Sequence, residues 1–398
     1  MMKRHRRALV ITQYYFPEPC AAAHRMESLA RSLRNQGMDV MVLAPLPSFP
    51  SGQIDAAYRG KFLVREMRGG IEVVRLRHVP GASSHGRYLA WLSFAALATL
   101  YALFGAKRCD VVVASSSPIT VAIPAIALRL LRGARMVADI RDVFPDLPIQ
   151  MGLWRENGCV ARGVATLARW WYRLSSLVVA VTPTALEQVR SRAGTTPVVL
   201  AANGCDRVEA RGGVIKRRNG EFVATFTGNM GLANGMDLLL DAAKLVRDDE
   251  IRIALIGGGA DYEHVVARVN AEGIDNIDLY GVMPREQAVG ALAESDAAVV
   301  VLREGIGESI PTKLFDAFAV ECPVVLSAAG EARRVVRESV AGVCSAPGDA
   351  ESLADALRRL AADRPLARAF GRAGARYASA FDREGIMGDL AARIACIE

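Results

Sequence analysis

The sequence predicts an α/β protein made of two doubly wound, Rossmann-like domains. Three observations lead there. Short apolar runs with the look of buried parallel strands alternate with helical patterns along most of the 398 residues. The alternation falls into two series, split by a polar stretch at 207–220 that carries Gly212, Gly213 and Gly220. In the second series, four successive strands end in loops rich in glycine, proline or charge, where open α/β sheets bind ligands. The length itself also favours two domains.

The first series opens with a strand at 8–13, a helix with an apolar stripe at 25–35 and a strand at 40–44, a βαβ unit. Further strands are expected near 71–77, 110–115, 135–139, 177–181 and 197–200. Helices near 87–106, 118–133, 158–175 and 183–193 separate most of them. The second series has strands at 223–227, 251–256, 277–280, 297–302 and 324–327, with a helix after each of the first four. Residues 350–397 read as helical with no further strand. The expected division is a first domain over 1–205, a second over 206–375, and a C-terminal helix at 376–398 that returns to the first.

Composition narrows the function. A hydrophobic content of 52% with 23% charged residues belongs to an ordered globular chain. The net charge of +7 is unevenly placed: the first 205 residues carry a strong excess of Lys and Arg, and the remainder is net acidic. The basic half therefore faces something anionic, with nucleic acid, anionic lipid and a phosphorylated substrate as candidates. The seven cysteines form no C-x-x-C pair and their number is odd, so a disulfide framework or zinc site is not indicated and a reduced cytosolic setting is expected. The basic start is followed by too short an apolar run for a signal peptide.

Residues 88–106 lack charge for 19 positions, long enough to span a bilayer, but they run directly into a strand, which favours a buried or surface-lying helix. The segment Arg162, Leu167, Arg169, Trp170, Trp171, Tyr172, Arg173 and Leu174 suits either a headgroup region or an ordinary packed helix. Arg129, Arg132 and Arg135 add positive charge. The aromatics cluster with apolar residues, which counts against nucleic acid.

The densest chemistry lies in Glu308-Ser309-Ile310-Pro311-Thr312-Lys313-Leu314-Phe315-Asp316. An apolar strand precedes it and a helical pattern follows, with Pro311 expected in the first helical turn. Free N–H groups, the helix dipole and Lys313 together favour a phosphate. Glu308 and Asp316 are placed to accept hydrogen bonds from hydroxyls on either side, the layout of a nucleotide-sugar. Thr227-Gly228-Asn229-Met230-Gly231, Gly257-Gly258-Gly259 and Gly281-Val282-Met283-Pro284 end the three preceding strands, where glycine lets backbone approach a ligand.

With these stand Tyr14-Tyr15-Phe16-Pro17-Glu18-Pro19, Ala22-Ala23-His24-Arg25, Pro47-Ser48-Phe49-Pro50-Ser51-Gly52, Asp139-Ile140-Arg141-Asp142-Val143-Phe144-Pro145-Asp146, Val181-Thr182-Pro183 and Asn203-Gly204-Cys205-Asp206. The set resembles the family 4 glycosyltransferases over nearly the full length, closest to the bacterial surface-polysaccharide branch that includes N-acetyl-fucosamine transferases. The resemblance implies the GT-B fold, two Rossmann-like domains facing a central cleft, and transfer with retention from a UDP-sugar held by the C-terminal domain. It implies that Glu308 holds the transferred sugar and that Lys313 neutralises the diphosphate, the two catalytic positions. Gly228, Asn229, Gly257, Gly258, Pro311, Thr312 and Leu314 would line the donor, Val282 the base, and Asp316 the ribose.

Arg25, Arg141 and Asp142 fall on the acceptor side, with Arg25 able to reach the phosphates; a structural ion pair is an equal reading of Arg141 and Asp142. The implied acceptor is a polyprenyl-diphosphate-linked saccharide, which places the chain on the inner face of the cytoplasmic membrane. No Asp-x-Asp triplet occurs, so neither a metal nor a cofactor is expected. The chain departs from the family at Asp316 (usually Glu), which shortens the ribose contact by one methylene, and at Leu232 (often Arg) and Asn234 (often Lys), which removes one or two cationic phosphate contacts. A UDP-N-acetylglucosamine 2-epimerase and a degenerate assembly partner are the competing readings; the few histidines avoid the sugar pocket, against the former.

Overall fold

The computed structural model describes residues 6–18, 20–49, 51–81, 83–205, 210, 212–213, 215–217, 220–231, 233–305 and 310–397. The chain forms two compact units, Met1–Asn203 with Arg383–Glu398, and Gly204–Asp382.

Among the described residues the first unit holds eight strands: β1 (Arg7–Thr12), β2 (Asp39–Pro45), β3 (Leu63–Arg68), β4 (Ile71–Leu76), β5 (Val111–Ser115), β6 (Arg135–Ile140), β7 (Leu177–Ala180) and β8 (Val198–Leu200). Their order across the sheet is β3-β4-β2-β1-β5-β6-β7-β8. All pairs are parallel except β3 with β4. β1, β5, β6 and β7 are almost wholly buried because helices cover both faces, which is why their sequences are mostly apolar, the buried Asp139 of β6 being an exception. One face packs against the helices Ser84–Leu100, Ala122–Arg132, Cys159–Leu174 and Pro183–Ala193 around Phe94, Ile126, Trp171 and Val189. The other packs against the helices Ala21–Asn35 and Arg383–Ala395 around Met26, Leu29, Met387 and Leu390.

The second unit is an all-parallel six-stranded sheet of β9 (Phe222–Asn229), β10 (Ile251–Gly258), β11 (Ile277–Gly281), β12 (Ala297–Val301), β13 (Val324–Ser327) and β14 (Gly342–Ser345), in the order β11-β10-β9-β12-β13-β14. The order reverses between β9 and β12, so the crevice at their carboxyl ends is the switch point where such sheets take ligands. Helices lie on both faces: Met236–Leu245 and Ala350–Ala362 on one, Thr312–Ala319 and Gly330–Ser339 on the other.

Several expectations are corrected. β3 was not anticipated: it alternates exposed with half-buried positions, none of them buried, and joins β4 through Gly69 and Gly70, both at positive φ, a two-residue hairpin turn. β14 and the helix Gly330–Ser339 were also missed. The return to the first unit comes at Arg383, not 376, because Tyr377 and Phe381 stack on each other, centroids 4.9 Å apart, and pack on Phe318 and Phe315 of the second unit. The described part of the 207–220 stretch is docked rather than bridging: the Ile215 N–H donates to Glu294 Oε2 at 3.0 Å and Arg217 Nε to the Glu294 carbonyl at 3.1 Å. Trp171 and Tyr172 point into the core, while Trp170 is 59% exposed.

Candidate functional site

β9 and β10 run in register to their tips, with Gly228 opposite Gly257 and Asn229 opposite Gly258. The two backbones are pressed together there. Gly257 sits at φ +139°, and a Cβ on it would fall 1.9 Å from the Gly228 carbonyl oxygen, so no side chain fits. The turn beyond β9 is fastened to the turn beyond β10: the Met230 N–H donates to the Gly258 carbonyl at 2.8 Å, and the Asp261 N–H to that of Met230 at 2.9 Å. Asn234 Nδ2 closes the loop onto the Asn229 carbonyl at 2.8 Å. Val282, after β11, is 82% exposed, and its Cγ2 lies 2.8 Å from where a Cβ on Gly258 would stand. Gly228, Asn229, Gly257, Gly258 and Val282 are therefore brought together.

Lys313 closes over this cradle. Pro311 is the N-cap of the helix Thr312–Ala319, extended at φ −64°, ψ 135°, and so stands one residue before the first turn expected to hold it. Thr312 and Lys313 follow, both half-buried. Lys313 Nζ lies 3.2 Å from Asn234 Oδ1, 3.8 Å from the Phe226 ring centroid, and 3.8 Å from the Cβ position of Gly228. Among the described residues no carboxylate comes within ion-pair distance of it. Burial lowers its pKa from an ordinary 10.5 to about 7, with the Asp316 carboxylate pulling weakly the other way. A cation at the positive end of a helix dipole, without a paired carboxylate, is poised for an anion.

Leu314 does not belong to the ligand surface: its side chain is wholly buried in the core and its N–H returns to the Pro311 carbonyl at 3.1 Å. Asp316 is not a bare carboxylate either. Its Oδ1 accepts from Arg285 Nη2 at 2.6 Å. The sequence reading missed Arg285, whose signal was its place: it directly follows the Gly281–Pro284 loop and opens the helix Arg285–Glu294, where a cation is disfavoured by the dipole. Asn234 was noted only as a missing lysine, yet it joins Lys313 to the β9 turn. Glu308, Ser309 and Leu232 lie outside the described residues.

In the first unit Arg25 is corrected. It is fully buried, its guanidinium forks onto Asp139 at 2.7 and 3.2 Å, and Nη1 donates to the Ala202 carbonyl at 2.7 Å. Ser115 Oγ donates to the same carboxylate at 2.7 Å. Arg25 thus joins the first helix to β6 and has no reach to a phosphate. Arg141 and Asp142 follow β6; the Arg141 N–H donates to Ser116 Oγ at 3.0 Å, Arg141 Nε is buried without a hydrogen-bond partner among the described residues, and Asp142 accepts from Ser117 Oγ. Glu18 joins two of the sequence motifs: its buried carboxylate accepts the N–H groups of Tyr15, Ser48 and Phe49 at 3.0–3.3 Å, and burial pushes its pKa up.

Two family models match the chain, a "Glycosyl transferase 4-like domain" over residues 21–204 and "Glycosyl transferases group 1" over residues 213–377. The chain is 26% identical over 261 residues to the probable glycosyltransferase WbjE of Pseudomonas aeruginosa, a match covering 63% of this chain and 65% of WbjE, just under two thirds of its length. It is 22% identical over 365 residues to the putative colanic acid biosynthesis glycosyl transferase WcaI of Escherichia coli K12, covering 87% of this chain and 89% of WcaI. Among solved structures, Anabaena Alr3699/HepE in complex with UDP superposes with a TM-score of 0.68 at 17% identity, covering 98% of this chain and 99% of that one, a likeness of fold.

Proposed function

Because the chain belongs to the family 4 glycosyltransferases, with the GT-B fold, we propose that it moves a sugar from a UDP-sugar to a polyprenyl-diphosphate-linked saccharide in bacterial surface-polysaccharide synthesis. The observation that carries the donor half is Lys313, a half-buried amine with no ion-pair partner among the described residues, set over the glycine tips of β9 and β10. The likeness to a structure holding UDP and to a colanic acid biosynthesis protein supports the same reading.

In this proposal the diphosphate lies against Gly228, Asn229 and the first turn at Thr312, with Lys313 on its oxygens. Val282 and Gly258 flank the base, and Asp316 takes the ribose. Glu308 holds the transferred sugar. The reaction breaks the bond between the anomeric carbon and the diphosphate oxygen, so charge builds on the leaving group. Lys313 and the helix N–H groups are aimed at that charge, which is where preorganised electrostatics lower a barrier. The transfer is of the retaining kind and proceeds without a metal, with an N-acetylated deoxyhexose as a candidate sugar.

The lipid half rests on the first unit. The helix His85–Gly105 is long and apolar enough to cross a membrane, yet buries Phe94, Ala95, Ala98 and Ala102 against the sheet. Outward it shows Leu89, Leu92, Leu100 and Phe104. Its neighbours on the same face of the sheet add exposed Leu130, Leu131 and Trp170 with Arg162, Arg169 and Arg173. Apolar residues rimmed by arginine suit a helix layer lying on an anionic leaflet. The test of the donor site is calorimetric titration with UDP, GDP and ADP, comparing wild type with Lys313→Ala. UDP-selective binding lost in the variant is the expected result; no nucleotide binding by the wild type would overturn the reading.

A further inference from the structure

Asp316 and Arg285 belong to different helices, 31 positions apart in sequence, and neither is at the phosphate cradle itself. The carboxylate is only 16% exposed and the guanidinium 29%, so the pair is partly dehydrated and holds one geometry better than a surface ion pair does. The bond of 2.6 Å runs from Arg285 Nη2 to Asp316 Oδ1. Among the described residues no hydrogen bond reaches Oδ2. One oxygen of this short side chain is thereby anchored and the other is left as an acceptor, on the helix that also carries Lys313.

We propose that Arg285 is a positioning residue for nucleotide recognition, which fixes Asp316 so that Oδ2 accepts a ribose hydroxyl. This rests on the donor-site reading above. A carboxylate that swings freely pays rotamer entropy when it captures a hydroxyl, and an aspartate has less reach than a glutamate with which to search. An arginine bonded to the far oxygen removes that cost before the ligand arrives. It also accounts for a cation at the first position of the helix Arg285–Glu294, where the dipole opposes it.

The readout is sugar discrimination, which a purely structural ion pair would leave alone. Wild type, Arg285→Ala, Arg285→Lys and Asp316→Asn are titrated with UDP and with 2′-deoxy-UDP and 3′-deoxy-UDP. A hydrogen bond to a charged acceptor makes wild type prefer UDP to one of the deoxy analogues by about tenfold or more. In Arg285→Ala that preference falls below about threefold, Arg285→Lys recovers part of it, and Asp316→Asn loses it. Thermal melting checks that each variant is folded, and the lysine variant serves if the alanine one is not. Equal weakening of UDP and the deoxy analogues, with the ratio unchanged, would overturn the proposal, as would a wild type that does not discriminate. Failure of wild type to bind UDP would instead bring down the donor-site reading, and this inference with it.

Discussion

Lys313 gives the sharpest quantitative consequence of the fold. Its amine is held between the Phe226 ring and Asn234, and burial brings its pKa to about 7. A diphosphate seated on it restores the charged form, so binding draws in a proton above neutral pH. If the bound pKa reaches about 9.5, uptake is about 0.1 proton at pH 6, about 0.5 at pH 7 and about 0.9 at pH 8. The same linkage makes nucleotide affinity about fivefold weaker at pH 8 than at pH 7. Calorimetry in two buffers of different ionisation enthalpy counts the protons. Because a terminal phosphate itself titrates near about 6, the measured quantity is the difference between wild type and Lys313→Met. The variant should also lose about 10–100-fold in affinity, the worth of a charge-assisted contact. Equal proton uptake by both proteins, or a wild-type affinity flat from pH 7 to pH 9, would refute the reasoning. The sign for stability is independent of ligand: the folded chain binds fewer protons than the unfolded one between about pH 7 and 10.5, so this group makes stability rise with pH across that window.

Two further outcomes follow from the first unit. Arg25→Met leaves Asp139 buried and unpaired, which should cost about 3–5 kcal/mol in denaturant unfolding, whereas a phosphate-binding arginine on the surface would cost little. Leu100→Glu with Phe104→Glu should cut cosedimentation with vesicles containing phosphatidylglycerol by at least about tenfold and leave UDP binding unchanged; unchanged cosedimentation would remove the lipid-facing role of that helix.

Much of the scaffold was legible because buried parallel strands leave unbroken apolar runs, as at Val111–Ser115 and Ala297–Val301. β3 escaped because three charges, Arg65, Glu66 and Arg68, fall within its six residues and break up any apolar run, as an edge strand with no buried position allows. β14 escaped because Gly342-Val343-Cys344-Ser345 is short and has no β-branched run. At the candidate site, the glycine tips and Lys313 were readable from spacing, since each follows a strand end. Their partners were not. Lys313 to Asn234 spans 79 positions, Arg285 to Asp316 spans 31, and Arg25 to Asp139 spans 114. A charged residue in a motif looks the same in sequence whether it faces a ligand or a buried counter-charge. Arg25 was misjudged for that reason, as was Asp316, whose partner Arg285 stands 31 positions earlier on another helix.

The most direct test of the central claim is sugar transfer itself. Purified protein is incubated with radiolabelled UDP-sugars and lipid-linked saccharides extracted from bacterial membranes, and label is followed into the lipid fraction. The account predicts transfer from at least one UDP-sugar, dependent on the lipid acceptor and abolished in Lys313→Ala. Conversion of the UDP-sugar to an epimer without acceptor, or UDP binding with no transfer from any donor, would contradict it.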